Sequence, residues 1–88
     1  GDDSPLPSGT RVLGVTFADD LATVDLSAEF QKNFEGGDLM EALAVNALAA
    51  TLGQFPGIKR VQILVEGKKI PTLGGGQTLD QPVSVPRP

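Results

Sequence analysis

The sequence contains no cysteine, no histidine, no tryptophan and no tyrosine. Without cysteine it can form neither a disulfide framework nor a zinc site of the usual Cys/His kind. Without histidine it also loses the commonest general base and metal ligand. Catalysis would rest on carboxylates, Ser/Thr hydroxyls and lysines alone. These absences predict a protein that is not an enzyme and that needs no metal and no cofactor.

Positive charge is sparse as well. Seven Lys and Arg stand against eleven Asp and Glu, for a net charge of −4. The basic residues are scattered apart from Lys59-Arg60 and Lys68-Lys69. They form no stripe that could follow a phosphate backbone, so nucleic acid is not an expected partner. No apolar run approaches the roughly 20 residues a membrane helix requires, so no membrane span is expected, and no signal-like stretch precedes the domain.

The 88 residues suffice for one modest core. It is carried by Leu, Val and Ala, with four Phe as the only aromatic residues. Residues 1–9 (GDDSPLPSG) are polar and rich in Pro and Gly, and read as a flexible N-terminal linker. Residues 10–82 read as the folded domain. Pro82, Pro86 and Pro88 argue against helix near the C-terminus, so residues 83–88 are expected to run as an extended tail.

Within the domain, Leu13, Val15 and Phe17 alternate, as do Ala22, Val24 and Leu26. Joined by Ala18-Asp19-Asp20, the two segments read as a β-hairpin with one face toward a core. Asp38 stands three residues before Glu41, a capping-box variant, and strong helix formers continue to Leu52. Gly53 is placed to end that helix in the left-handed region. Val61, Ile63 and Val65 predict a third strand, and a turn at Gly67-Lys68 leads to a fourth over residues 69–73. The order β-β-α-β-β predicts an α+β fold, one main helix packed on a four-stranded antiparallel or mixed sheet.

The helix is apolar on more than one side. Val45, Leu48 and Leu52 share one face, whereas Leu39, Met40, Leu43, Ala47 and Ala50 occupy much of another. One apolar face is enough to cover a small sheet. The second set must be covered by another element or the terminal segments of the same chain, or else it is a candidate interaction surface, for a protein partner or for a second copy in a homodimer.

The chemically suggestive residues have plainer readings. Asp19 and Asp20 fall in a turn, which favours Asp for backbone reasons. Asp25, Ser27 and Glu29 lie where the second strand gives way to a helical turn, and capping and turn formation explain them better than ligand contact does. Gly74-Gly75-Gly76 lacks the Lys-Ser/Thr of a phosphate loop and reads as a flexible loop. Lys68-Lys69 reads as a solvated turn.

Val24-Asp25-Leu26-Ser27, the Ser27-Ala28-Glu29-Phe30 that follows, Thr51-Leu52-Gly53-Gln54-Phe55 at the helix end, and Ile58 to Val65 followed by Glu66-Gly67 occur in one order. That order resembles the GerMN domain of the sporulation and spore germination family, over roughly residues 7–82. The usual first strand and helix of that family lie upstream of Leu6–Thr10, so the resemblance implies a short variant or a domain cut away before this point. It further implies an extracytoplasmic module of the bacterial cell envelope, commonly a lipoprotein or membrane-tethered, with no catalytic residues to carry over. Protein and peptidoglycan are then the expected partners. The rival expectation is a cell-wall-directed hydrolase accessory or weak carboxylate enzyme using Asp25 and Glu29.

Overall fold

The computed structural model describes residues 6–73 and 78–86. Strand β1 (Val12–Ala18) turns through Asp19-Asp20 into β2 (Leu21–Leu26). A short helix α1 (Glu29–Lys32) and the main helix α2 (Asp38–Leu52) follow, then β3 (Arg60–Val65), β4 (Lys68–Lys69) and β5 (Val83–Ser84). The sheet order is β1-β2-β3-β4, with β5 on β3 as well. β1 and β2 are antiparallel, β2 and β3 parallel, and β4 and β5 antiparallel to β3. The fold is thus α+β with a mixed sheet. The parallel pair follows from the connection: a helical crossover returns the chain to the side from which β2 started.

One face of the sheet, made by Ala22, Val24 and Leu26 with Val61, Ile63 and Val65, packs on Ala44, Val45, Leu48, Ala49 and Leu52 of α2. Phe30 on α1, fully buried, belongs to the same core, as do Ile58, Ile70 and Leu79. The buried Gln62 amide donates to the carbonyls of Ile63 and Leu79, both at 3.2 Å, which ties residue 79 to β3.

Several local expectations give way to tertiary constraints. Leu13 and Phe17 do not reach the core: Val12, Leu13 and Phe17 are 57%, 50% and 50% exposed, and Val15 alone of the strand's large residues is partly covered. β1 is an edge strand, and its register on β2 shifts between Val12 and Gly14, a bulge that breaks the alternation at Leu13. The helix is capped by Gly37 with no side-chain bond, so Asp38 and Glu41 make no capping box. Glu41 instead turns inward, fully buried, and its carboxylate accepts the Thr72 hydroxyl at 2.9 Å and the Leu73 amide at 2.7 Å.

Gly53 has φ −68°, not the left-handed value expected of it. What it provides is space, because a Cβ there would collide with the side chain of Val85. The second hairpin turns at Glu66-Gly67, where φ is 51° and 78°, and its outer strand is only Lys68–Lys69 instead of residues 69–73. Two successive positive φ values suit the right-handed twist of a two-residue hairpin.

The termini are more engaged than their composition suggests. Leu6 packs against the core, Asn33 donates to the Ser8 carbonyl at 2.7 Å, and Val83–Ser84 join the sheet as β5. Residues 1–5 of the expected linker, the Gly74-Gly75-Gly76 loop, and Arg87 and Pro88 of the tail lie outside the described residues.

Candidate interaction surface

The outer flank of α2 is apolar and open. Leu39 is 72% exposed, Leu43 46% and Met40 40%; Ala50 is exposed and Ala47 half-buried. The five residues singled out from helical periodicity therefore all lie wholly or partly on the surface. They are there because the sheet below α2 is narrow, and β2 and β3 take up the Val45-Leu48-Leu52 face.

Ala47 and Thr51 overhang β1. Together with Leu6, Val12, Val15 and Val24 they line an open apolar groove of about 270 Å³ between α2 and the edge strand. Beyond its β2 end, the rings of Phe17 and Phe55 meet at 5.1 Å and 56°, each half-exposed. The participation of β1 escaped sequence reasoning, which placed Leu13 and Phe17 inside. The glycine at position 14 in the middle of the alternation was the available signal, since Gly within a strand often marks a bulge.

The polar candidates are occupied locally. Asp25 accepts the Gly67 amide at 2.7 Å and so steadies the β3–β4 turn. Ser27 is buried; its Oγ accepts the Arg11 amide at 2.9 Å, while its own amide donates to the Arg11 carbonyl at 2.8 Å. Glu29 is held below the usual carboxylate range, first by its own backbone amide and then by the Ser27 hydroxyl. Glu66 receives the Ala28 amide at 2.9 Å, which helps hold its left-handed backbone. Asp25, Ser27 and Glu29 thus form a bracket joining the end of β2 to α1 and to the β3–β4 turn.

Asp20, in the first turn, pairs with Arg60 at 2.9 Å and is lowered chiefly by that hydrogen bond, as Arg60 is raised by it. Lys68 and Lys69 are exposed on β4. Among the described residues no group of three or more acidic side chains is gathered as a metal site would need, and no helix is long and apolar enough to cross a membrane.

Comparison with known proteins places this arrangement. The sequence profile of Germane, described as sporulation and spore germination, matches residues 1–71. None of the curated proteins matches the chain. Among solved structures, a candidate lipoprotein from Clostridium perfringens is 29% identical and superimposes over 91% of this chain with a TM-score of 0.81. The tandem GerMN domains of the Bacillus subtilis sporulation protein GerM, and the first of those domains alone, are each 31% identical over 84% of this chain, with TM-scores of 0.68 and 0.67. This chain spans 52% of the Clostridium chain, 25% of the tandem chain and 53% of the single-domain chain.

Proposed function

This chain belongs to the Germane family of sporulation and spore germination domains, and from that premise we propose that it serves as a non-catalytic interaction module of a sporulation-related protein of the bacterial cell envelope. The observation that carries the reading is the exposed apolar flank of α2, Leu39, Met40 and Leu43, continuous with the groove above β1 through Ala47. Exposed apolar side chains grouped on one face mark contact surfaces more often than solvent-facing ones. Such a face offers few fixed hydrogen-bond donors, which suits a protein partner better than the hydroxyl-rich glycan of peptidoglycan. The similarity to a candidate lipoprotein supports a site of action outside the cytoplasmic membrane.

The carboxylate-enzyme reading is the weaker one. Glycoside hydrolysis needs one carboxyl group kept protonated to donate to the leaving group. Glu29 is shifted the opposite way, toward the ionised form, and the Asp25 carboxylate is engaged with a backbone amide.

The test is site-directed photo-crosslinking in the cells that make the protein, with a benzophenone amino acid at Leu43 or, as control, at the exposed Lys69. Discrete protein adducts from position 43 and none from 69 are expected. Equal labelling at both, or none at either, overturns the reading.

A further inference from the structure

We propose that the outer edge of β3 is a strand-accepting site occupied by the chain's own segment 80–86, and that release of this segment opens the site to an extended, aliphatic strand of a partner protein. This is a second contact surface, apart from the α2 flank and independent of it.

The first observation is how β3 is covered. On one side it pairs with β2 over six residues, whereas on the other β4 and β5 contribute two pairs each. Lys69 and Lys68 lie beside Leu64 and Val65, and Ser84 and Val83 beside Arg60 and Val61. Between the two pieces, the Gln62 side-chain amide donates to the Leu79 carbonyl. One further bond, from the Val85 amide to the Lys59 carbonyl at 2.9 Å, extends the β5 piece. Pro82 and Pro86 flank it and have no amide to add. Segments held by so few backbone bonds open without unfolding the rest of a protein.

The second observation is that the site has a shape. The side chain of Val85 lies where a Cβ at Gly53 would stand, so the C-terminal end of α2 is notched to admit it. Val83, opposite Val61, packs against the core as Val85 does. Residues two apart on an extended chain share a face. Main-chain hydrogen bonds combined with seats for alternate side chains are how sheet edges recognise extended peptides. The fitting sequence is therefore read from the occupant: branched aliphatic side chains two residues apart, with the exposed Ser84 between them.

The third observation is a defect in the closed arrangement. Leu79 is fully buried and its amide donates to the Pro71 carbonyl at 2.9 Å, which anchors the segment at that end. In the very next residue, Oδ1 of Asp80 is buried with no hydrogen-bond partner among the described residues. A carboxylate oxygen taken out of water with no donor opposes the arrangement that buries it. Release from Asp80 onward returns that oxygen to water while Leu79 stays in the core. The segment thus combines an anchor at Leu79, a weak point at Asp80 and a seat for Val83 and Val85, the parts a reversible strap requires.

The test is amide exchange by NMR on the full chain, followed by titration with a synthetic peptide of residues 80–86. In the wild-type chain the Val85 amide is expected to exchange much faster than the amides of β2. Asp80→Asn removes the buried charge and should slow exchange at Val85 about fivefold or more, with β2 unchanged. Exchange at Val85 that matches β2, or that Asp80→Asn fails to slow, overturns the strap. Val83→Asp/Val85→Asp unseats the segment, with circular dichroism to confirm the fold and Val85→Asp alone as the milder variant. On the opened chain the peptide should shift the resonances of Gly53, Arg60 and Val61, and a peptide carrying the same two substitutions should not. The wild-type chain, whose own segment competes at an effective concentration on the order of millimolar, should need about tenfold more peptide. No binding to the opened chain overturns the site. Shifts confined to Leu39, Met40 and Leu43 overturn it as well, and crosslinking at Leu43 decides the α2 flank separately.

Discussion

The carboxylate of Glu41, in the first turns of α2, accepts the backbone amide of Leu73 at 2.7 Å and the hydroxyl of Thr72 at 2.9 Å, and Glu41 itself is fully buried. An acidic residue near a helix N-terminus would ordinarily be read as a cap. Here it is a tie between the helix and the segment that follows β4.

Removing that tie strands a donor. Glu41→Ala leaves the half-buried Leu73 amide without this partner, and losing a hydrogen bond to a charged group costs about 1.5–3 kcal/mol. The midpoint of urea unfolding should fall accordingly. Amide exchange at Leu73 should accelerate more than exchange in β2, which distinguishes local release from general loosening.

Gly53 offers a test in which two effects have opposite signs. Replacing glycine with alanine near a helix end gains about 0.4–1 kcal/mol from the unfolded chain when the backbone angles permit it, and φ −68° does permit it. A Cβ here, however, would lie 2.9 Å from the Ala49 carbonyl oxygen and collide with Val85. Overpacking of this kind costs about 1–3 kcal/mol, so Gly53→Ala should be net destabilising. In a Val85→Ala background the cost should shrink but not vanish, because the Ala49 carbonyl contact remains, and a double-mutant cycle by chemical denaturation measures the difference.

The bracket around Glu29 should respond to acid. Its carboxyl is depressed below its ordinary value of 4.5, first by its own amide and next by the Ser27 hydroxyl. A group with a lowered folded-state pKa contributes stability that is fully present above the unfolded value and is lost as pH falls through the folded one. The contribution is therefore intact at neutral pH and disappears below pH 4.5. Glu29→Gln should flatten the acid limb of the stability curve, and Ser27→Ala should move the Glu29 carboxyl carbon titration upward in an NMR experiment. Unchanged titration in Ser27→Ala would show that the hydroxyl takes no part.

Much of the architecture was legible in the sequence because it follows from local periodicity. The alternation of Ala22, Val24 and Leu26, the alternation of Val61, Ile63 and Val65, and the run of helix formers ending at Leu52 identified β2, β3 and α2. The outer flank of α2 was legible for the same reason: a 3.6-residue period sorts Leu39, Met40 and Leu43 away from Val45, Leu48 and Leu52 before any packing is known. The VDLS segment and the TLGQF helix end also carried the family resemblance.

Position within the sheet was not legible, because hydrophobic alternation records a strand and not its neighbours. Leu13 and Phe17 alternate as well as Val24 and Leu26 do, yet β1 lies at the edge of the sheet and β2 inside it, and the bulge between Val12 and Gly14 further displaces Leu13. Glu41 and Gly53 show the same division. Their residue types allowed a cap and a left-handed turn, whereas Leu73 and Val85, each 32 residues further along, assigned one to a buried hydrogen bond and the other to a close approach. The sequence by itself determined the main elements, β1, β2, α2 and β3, and the family they belong to, through interactions spanning a few residues. Only the tertiary structure decided which apolar faces are covered, because burial depends on which distant segments share the space above them.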